Sequence, residues 1–503
     1  MKKTLIILTV AIPILIGGYF ILNSIAHNKI EQFLDEQVAR GHLEYQDFNL
    51  SLLRGNVTVN TIEYHKQHQQ VQAEQVGIKG FSYWNFLVSN RISVDHIVIR
   101  RPLGRLHKKK DAPKHNEQNK KQESAFDKEI RVKHLAIEEG QLTYTADTAD
   151  LLKVALFDLD VHHIRIDQQT LRQKVPATYE DFSLKLSGLW YDMNELQEIQ
   201  AADLRITDKE IRVTDLHLLP KYTRQDYIRV IPYEKDLMSL KLDSLSIPEY
   251  QLEIQGRLPL FEAPKIVFEG IDFDIYRDKT VNDDLREKPL YSKMLRDLDI
   301  ELNIDSIVLK NTNINYQERI KKDRDPGEVY FSELQATITN ITNTDLERND
   351  FPETQIDIRS LFMGKSPISV EWQFRINDKR DNFRIRGKSS DIPEESINSF
   401  FIPAFNVKTE GTVNELYFNF GGNNDMAAGD FQIDHENFEV QVLKKNGKEK
   451  KGFLSWVANI FVKKGNKGES LTKHVKEVKR DKTKSFWNYF WSCIQAGLTK
   501  TMI

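Results

Sequence analysis

The chain has 503 residues, 40% of them hydrophobic and 29% charged, and a formal net charge of −3. So balanced a charge excludes a general attraction to nucleic acid, and a lone cysteine, Cys493, excludes an internal disulfide framework. The length alone would allow about three or four domains, but a repeated phrase argues instead for one elongated body that grows by addition.

Residues Thr4 to Ala26 are apolar over about 20 positions, enough for a helix to cross a bilayer. Lys2 and Lys3 precede this run and place the amino end in the cytoplasm, with the rest of the chain across the membrane. A cleaved signal peptide competes, because Ser24 and Ala26 are spaced like a cleavage site, but the run is longer than an ordinary signal core. Domain boundaries follow: an anchor over 1–26, and a linker helix over 27–40 carrying Ile30, Phe33, Leu34 and Val38 at helical spacing. Alternating runs at Leu43–Leu50, Gly55–His65 and Val71–Phe81 then open a repetitive β domain over 41–443. Residues 107–128 hold almost no apolar side chain and read as a disordered loop between strands.

The repeated phrase appears four times. It runs through Ile92, Val94, Ile97, Ile99 and Leu106, then through Ile130, Val132, Leu135, Ile137, Leu142 and Tyr144. It returns at Leu240, Leu242, Leu245, Ile247, Leu252 and Ile254, and at Leu302, Ile304, Ile307, Leu309, Ile314 and Tyr316. Steps of two put side chains on one face of a strand. The single step of three, as from Val94 to Ile97, breaks the alternation as a bulge or tight crossing would. After three of the copies, Leu156-Phe157, Val267-Phe268 and Tyr330-Phe331 open further alternating runs, so each repeat reads as several antiparallel strands. More strands are predicted at Gln355–Arg359, Ile368–Asn377 and Asn382–Lys388. A helix is predicted over Ile392–Phe401, with Asp391 as its cap and Pro403 ending it. A hairpin spans Gly411–Phe420 and Gly429–Leu443. The tail, 444–503, contains Gly452–Lys463 as a short helix or strand, a basic polar stretch, and Phe486, Trp487, Phe490, Trp491, Ile494 and Leu498 at helical intervals. That aromatic face reads as a cap on the open end of the sheet, with a membrane-surface helix as the alternative.

The anchor, the phrases VDHIVIRRP, VKHLAIEEGQLTY and IDSIVLKNTNINY, the block from Ile392 to Leu443 and the closing KSFWNYFWSCIQAGL resemble the AsmA-like proteins of the bacterial envelope. The resemblance implies a repeating-β-groove fold: an elongated, curled antiparallel sheet with an apolar concave face, a few short helices and a C-terminal amphipathic helix. It implies conduction of phospholipid along that groove in support of outer-membrane lipid homeostasis. The partners implied are phospholipid, the inner membrane and other envelope proteins, and the bulk of the chain would be periplasmic.

Physics alone leaves two outcomes open for the apolar face: a dry core, or a curl whose interior is left to a guest. In the second case the lining is Ile92, Val94, Ile97, Ile130, Val132, Leu135, Ile137, Leu142, Leu240, Leu242, Leu245, Ile247, Leu252, Leu302, Ile304, Ile307, Leu309 and Ile314. The sequence carries no nucleophile elbow, phosphate loop or zinc-protease motif, so no catalysis, cofactor or metal is expected. His162 and His163 point to opposite faces of a strand, and Asp158 with Asp160 read as solvent-facing. A scaffold that assists outer-membrane protein assembly along strand edges is the alternative function.

Overall fold

The computed structural model describes residues 43–51, 55–66, 69–89, 91–107, 129–146, 149–254, 256–443 and 471–502. The expected anchor, linker helix and element at 452–463 lie outside the described residues, as does the loop expected over 107–128 except for His107, which ends a strand. Among the described residues no helix is long and apolar enough to cross a membrane. They form 21 strands and belong to two compact units, one reaching Thr214 and including Ile254–Arg257, the other holding Asp215–Glu253 and the chain from Leu258.

The first unit contains β1 (Leu43–Ser51), β2 (Asn56–Lys66), β3 (Gln69–Lys79), helix α1 (Tyr83–Val88), β4 (Arg91–Arg100), β5 (Leu103–His107), β6 (Glu129–Ala146), β7 (Ala149–Ile166), β8 (Asp181–Asp192) and β9 (Gln197–Thr207). The boundary between units falls within β10 (Ile211–Pro220). Strands β1 to β3 form an antiparallel meander. Both β4 and β5 pair antiparallel with β3 on one side and parallel with β6 on the other. β6 to β9 continue antiparallel.

The second unit contains α2 (Arg224–Val230), β11 (Asp236–Ile247), β12 (Gln251–Glu253), β13 (Leu260–Asp278), α3 (Tyr291–Arg296), β14 (Glu301–Arg319), β15 (Gly327–Thr342), β16 (Thr354–Phe362), β17 (Ser366–Phe374), β18 (Phe383–Pro393), α4 (Glu394–Phe405), β19 (Val407–Gly422), β20 (Met426–Val442), β21 (Leu471–Lys479) and α5 (Phe486–Met502). Here β11 and β12 pair antiparallel with β13, β13 pairs parallel with β14, and β14 to β21 run antiparallel in chain order.

The sheet is therefore mixed, not antiparallel throughout as the sequence suggested. Connection length permits this. A parallel neighbour needs a crossover of about a dozen residues or more, and the connections from His107 to Glu129 and from Asp278 to Glu301, which carries α3, are long enough. Between β4 and β6, parallel pairing sets two copies of the phrase side by side in phase. Ile92, Val94, Ile97 and Ile99 stand opposite Ile130, Val132, Leu135 and Ile137.

The step of three interrupts the ladder without a two-against-one bulge: pairing stays one-for-one across it, and the register shifts fall at the next step, between Ile137 and Leu142 and between Leu309 and Ile314. At each copy the antiparallel neighbour carries a residue with left-handed backbone: Gly80 (φ 71°) near Asp95, His163 (φ 52°) opposite Lys133, Gly270 (φ 71°) opposite Asp243 and Asn340 (φ 59°) opposite Asp305. That conformation is cheap for glycine, tolerated by asparagine and strained for most other residues.

Helix α4 begins after Pro393 rather than at Ile392, and no side chain caps it. Asp391 has a positive φ of 52° and stands outside the helix. Pro403 lies inside α4; the helix ends instead at Asn406, whose left-handed backbone (φ 59°) lets its N–H reach the Ile402 and Phe401 carbonyls. The basic stretch before the last helix, read as merely polar, contains β21, whose pairing with β20 supplies the order that its composition does not. The short helices α1, α2 and α3 had no periodic signal long enough to detect.

Candidate functional site: an apolar face with two degrees of closure

The same phrase ends in two different states. In the first unit its residues are sealed. Ile92, Val94, Ile97, Ile130, Val132, Leu135 and Ile137 are each no more than 4% exposed, and they belong to one contiguous core that also contains Leu43 of β1 and Leu184 and Leu186 of β8. Leu142 is half-buried and packs against that core. Apart from Leu142, these positions are interior, covered by the chain's own side chains.

In the second unit Leu242, Ile247 and Ile304 are buried, but Leu240, Leu245, Leu302, Ile307, Leu309 and Ile314 are only half-buried, and Leu252 is 42% exposed. The half-buried residues are not at loops or frayed ends. Leu245, Phe268 and Leu309 form one row across β11, β13 and β14. Leu240, Phe273, Ile314, Phe331 and Phe362 form another, reaching β16. A mid-sheet apolar row that its own chain leaves half-covered has surface to spare for another apolar body.

Farther along β17 to β21 the same sheet is covered by α5. Phe486 stacks on Trp372 with centroids 4.4 Å apart and an interplanar angle of 7°, and meets Phe383 edge-on at 5.2 Å. Phe490 packs on Phe418 at 5.1 Å. Trp491 instead meets Phe400 and Phe401 of α4, so α5 touches both sheet and helix. Of the expected apolar face, Phe486 is buried, Phe490, Trp491, Ile494 and Leu498 are half-buried, and Trp487 is 50% exposed, its indole Nε1 donating to Tyr291 Oη at 3.1 Å. The buried positions of α5 are Phe486, Tyr489, Cys493, Gly497 and Thr501. Sequence reading missed the last four because a small or polar-tipped residue does not stand out on an apolar face. Gly497 rests so close to the Phe431 ring that a Cβ would collide with it.

The half-open stripe ends in polar side chains at the last turns of β13 and β14. Arg277 donates to both Asp236 oxygens, at 2.7 and 2.6 Å. Tyr316 donates to Glu318 at 2.6 Å, and Lys279 sits 3.0 Å from the same carboxylate. Burial first, and then Glu318, pushes the Tyr316 phenol far above its usual range. Burial alone would lower Arg277, but the Asp236 carboxylate outweighs it and raises the guanidinium. The end of the stripe is thus a set of matched charges around a neutral phenol. Sequence reading gave these residues no role, since charges at strand ends are common.

Among the described residues no group of three or more His, Cys, Asp or Glu could enclose a metal ion. Compared with known proteins, the chain matches no family model, and no curated protein matches it significantly.

Proposed function

We propose that this chain is an AsmA-like envelope protein, anchored in the bacterial inner membrane by Thr4–Ala26, whose second unit binds phospholipid acyl chains along its half-covered apolar face. The observation that carries the reading is the contrast in closure: in the first unit only Leu142 and Tyr144 of the phrase are half-buried, whereas in the second most of its residues are half-buried or exposed. Acyl chains would complete the burial of Leu240, Leu245, Leu302, Ile307, Leu309 and Ile314, at about 25 cal/mol per Å² of apolar area covered. Transfer along such a face requires no bond to be made or broken.

The test compares the full-length chain with a Leu245→Asp, Ile307→Asp double variant, both purified in the same mild detergent. Mass spectrometry of the extracted lipid should show phospholipid on the parent chain and several-fold less on the variant, with similar thermal unfolding. The shared anchor makes the difference report on the face. Equal retention by both chains would remove the assignment.

A further inference from the structure

The parallel pairing of β4 with β6 has a second effect, on the polar face. His96 and His134 occupy the same place in two copies of the phrase, so they stand directly opposite each other. β7 puts His162 opposite His134, and β8 puts Asp181 opposite His162. Three imidazoles and a carboxylate thus cross four strands in one row. The His134 ring stacks on His162, with centroids 4.7 Å apart and an angle of 12°, and meets His96 edge-on at 5.6 Å.

A carboxylate only accepts, so the carboxylate partners assign the protons on these rings. His134 Nε2 donates to Asp160 Oδ1 at 3.1 Å, and His162 Nδ1 donates to Asp181 Oδ1 at 2.6 Å. A neutral His134 with its proton on Nε2 keeps a lone pair on Nδ1. That atom lies 3.4 Å from His96 Nδ1. A tetrahedral ion bound at about 2.0–2.1 Å to two imidazole nitrogens holds them about 3.3–3.4 Å apart. The pair already has the spacing of a chelate edge. Asp160 stands where a carboxylate behind a ligand imidazole orients the ring and raises its basicity.

We propose that His96 and His134 chelate a divalent transition cation of the zinc, nickel or copper class, with Asp160 and His162 as positioning residues. Imidazole suits these ions better than it suits magnesium or calcium. His96 binds through Nδ1 once its own proton sits on Nε2, so the ion takes the place of the bond between the two rings with no net proton change. With no third His, Cys, Asp or Glu in reach among the described residues, water completes the shell. The ion is therefore exchangeable and enters from solvent, to which His96 is exposed and His134 partly so. Once bound, it ties β4 to β6. This site belongs to the first unit and does not depend on the lipid reading.

Calorimetric titration of zinc chloride into the full-length chain, stripped with a chelator, tests the proposal. We expect one saturable zinc per chain. His96→Ala and His134→Ala should each abolish it, and Asp160→Asn should weaken it about tenfold. His474→Ala, which removes a histidine paired to Asp430 without a neighbouring imidazole, should leave it unchanged. Zinc should also raise the unfolding temperature of the parent chain and not that of His96→Ala. Where circular dichroism shows that His96→Ala does not fold, His96→Gln replaces it. Absence of saturable binding, wild-type affinity in His96→Ala, or an equal loss in His474→Ala overturns the proposal.

Discussion

Gly270 carries the step of three in β11 and β13 on a backbone with φ of 71°, and an added Cβ would run into the Asp243 carboxylate. Gly270→Ala should therefore destabilise the chain by about 1–3 kcal/mol through backbone strain, beyond any effect of the clash. Urea unfolding of the variant measures this; an unchanged midpoint would mean that the backbone there relaxes freely. The step of three was legible in the sequence because it interrupts an otherwise regular spacing. Its partner was not legible, since Gly270, His163 and Asn340 lie on other strands and nothing local marks them as opposite Asp243, Lys133 and Asp305. The histidine row was hidden for a related reason. Aligning the copies places His96 and His134 at equivalent positions, but only parallel pairing converts equivalent into adjacent.

Helix α5 shows what periodicity can and cannot assign to an element. Its existence and aromatic spacing were readable, whereas its orientation is set by Trp372, Phe383 and Phe418, which come from three strands far away in sequence. Phe486→Ala should remove the ring stacked on Trp372 and cost about 3–5 kcal/mol, read as a lower urea midpoint. The sole cysteine reports on the same element. Cys493 is 1% exposed, and burial pushes its thiol up to about 12, so at neutral pH it is a shielded thiol and not a thiolate. Maleimide should label it slowly in the native chain and at least several-fold faster in Phe486→Ala, where α5 is less firmly seated. Equal labelling rates would mean that Phe486 does not hold the helix down. Pro403 within α4 is the opposite lesson: a residue read as a terminator lies inside the helix, and the exit falls at Asn406.

Across the whole molecule, one sequence pattern has two outcomes. In both units apolar residues recur on one strand face, and the spacing alone could not distinguish sealed Ile97 from half-open Ile307. Closure depends on what packs against the face, which is a property of distant residues and not of the phrase. A photoreactive amino acid placed at Leu245 or Ile307 should crosslink to phospholipid in native membranes, while the same probe at Ile97 should react only within the chain. Lipid adducts at Ile97 would show that the first unit opens. The in-phase parallel strands also affect how the chain reaches its native state. Neither β6 nor β14 can find its parallel neighbour until a long connection has closed, which raises contact order and slows folding. Because the copies share their spacing, each also presents a plausible wrong mate to every other, so a newly made chain is exposed to register errors one whole repeat in size.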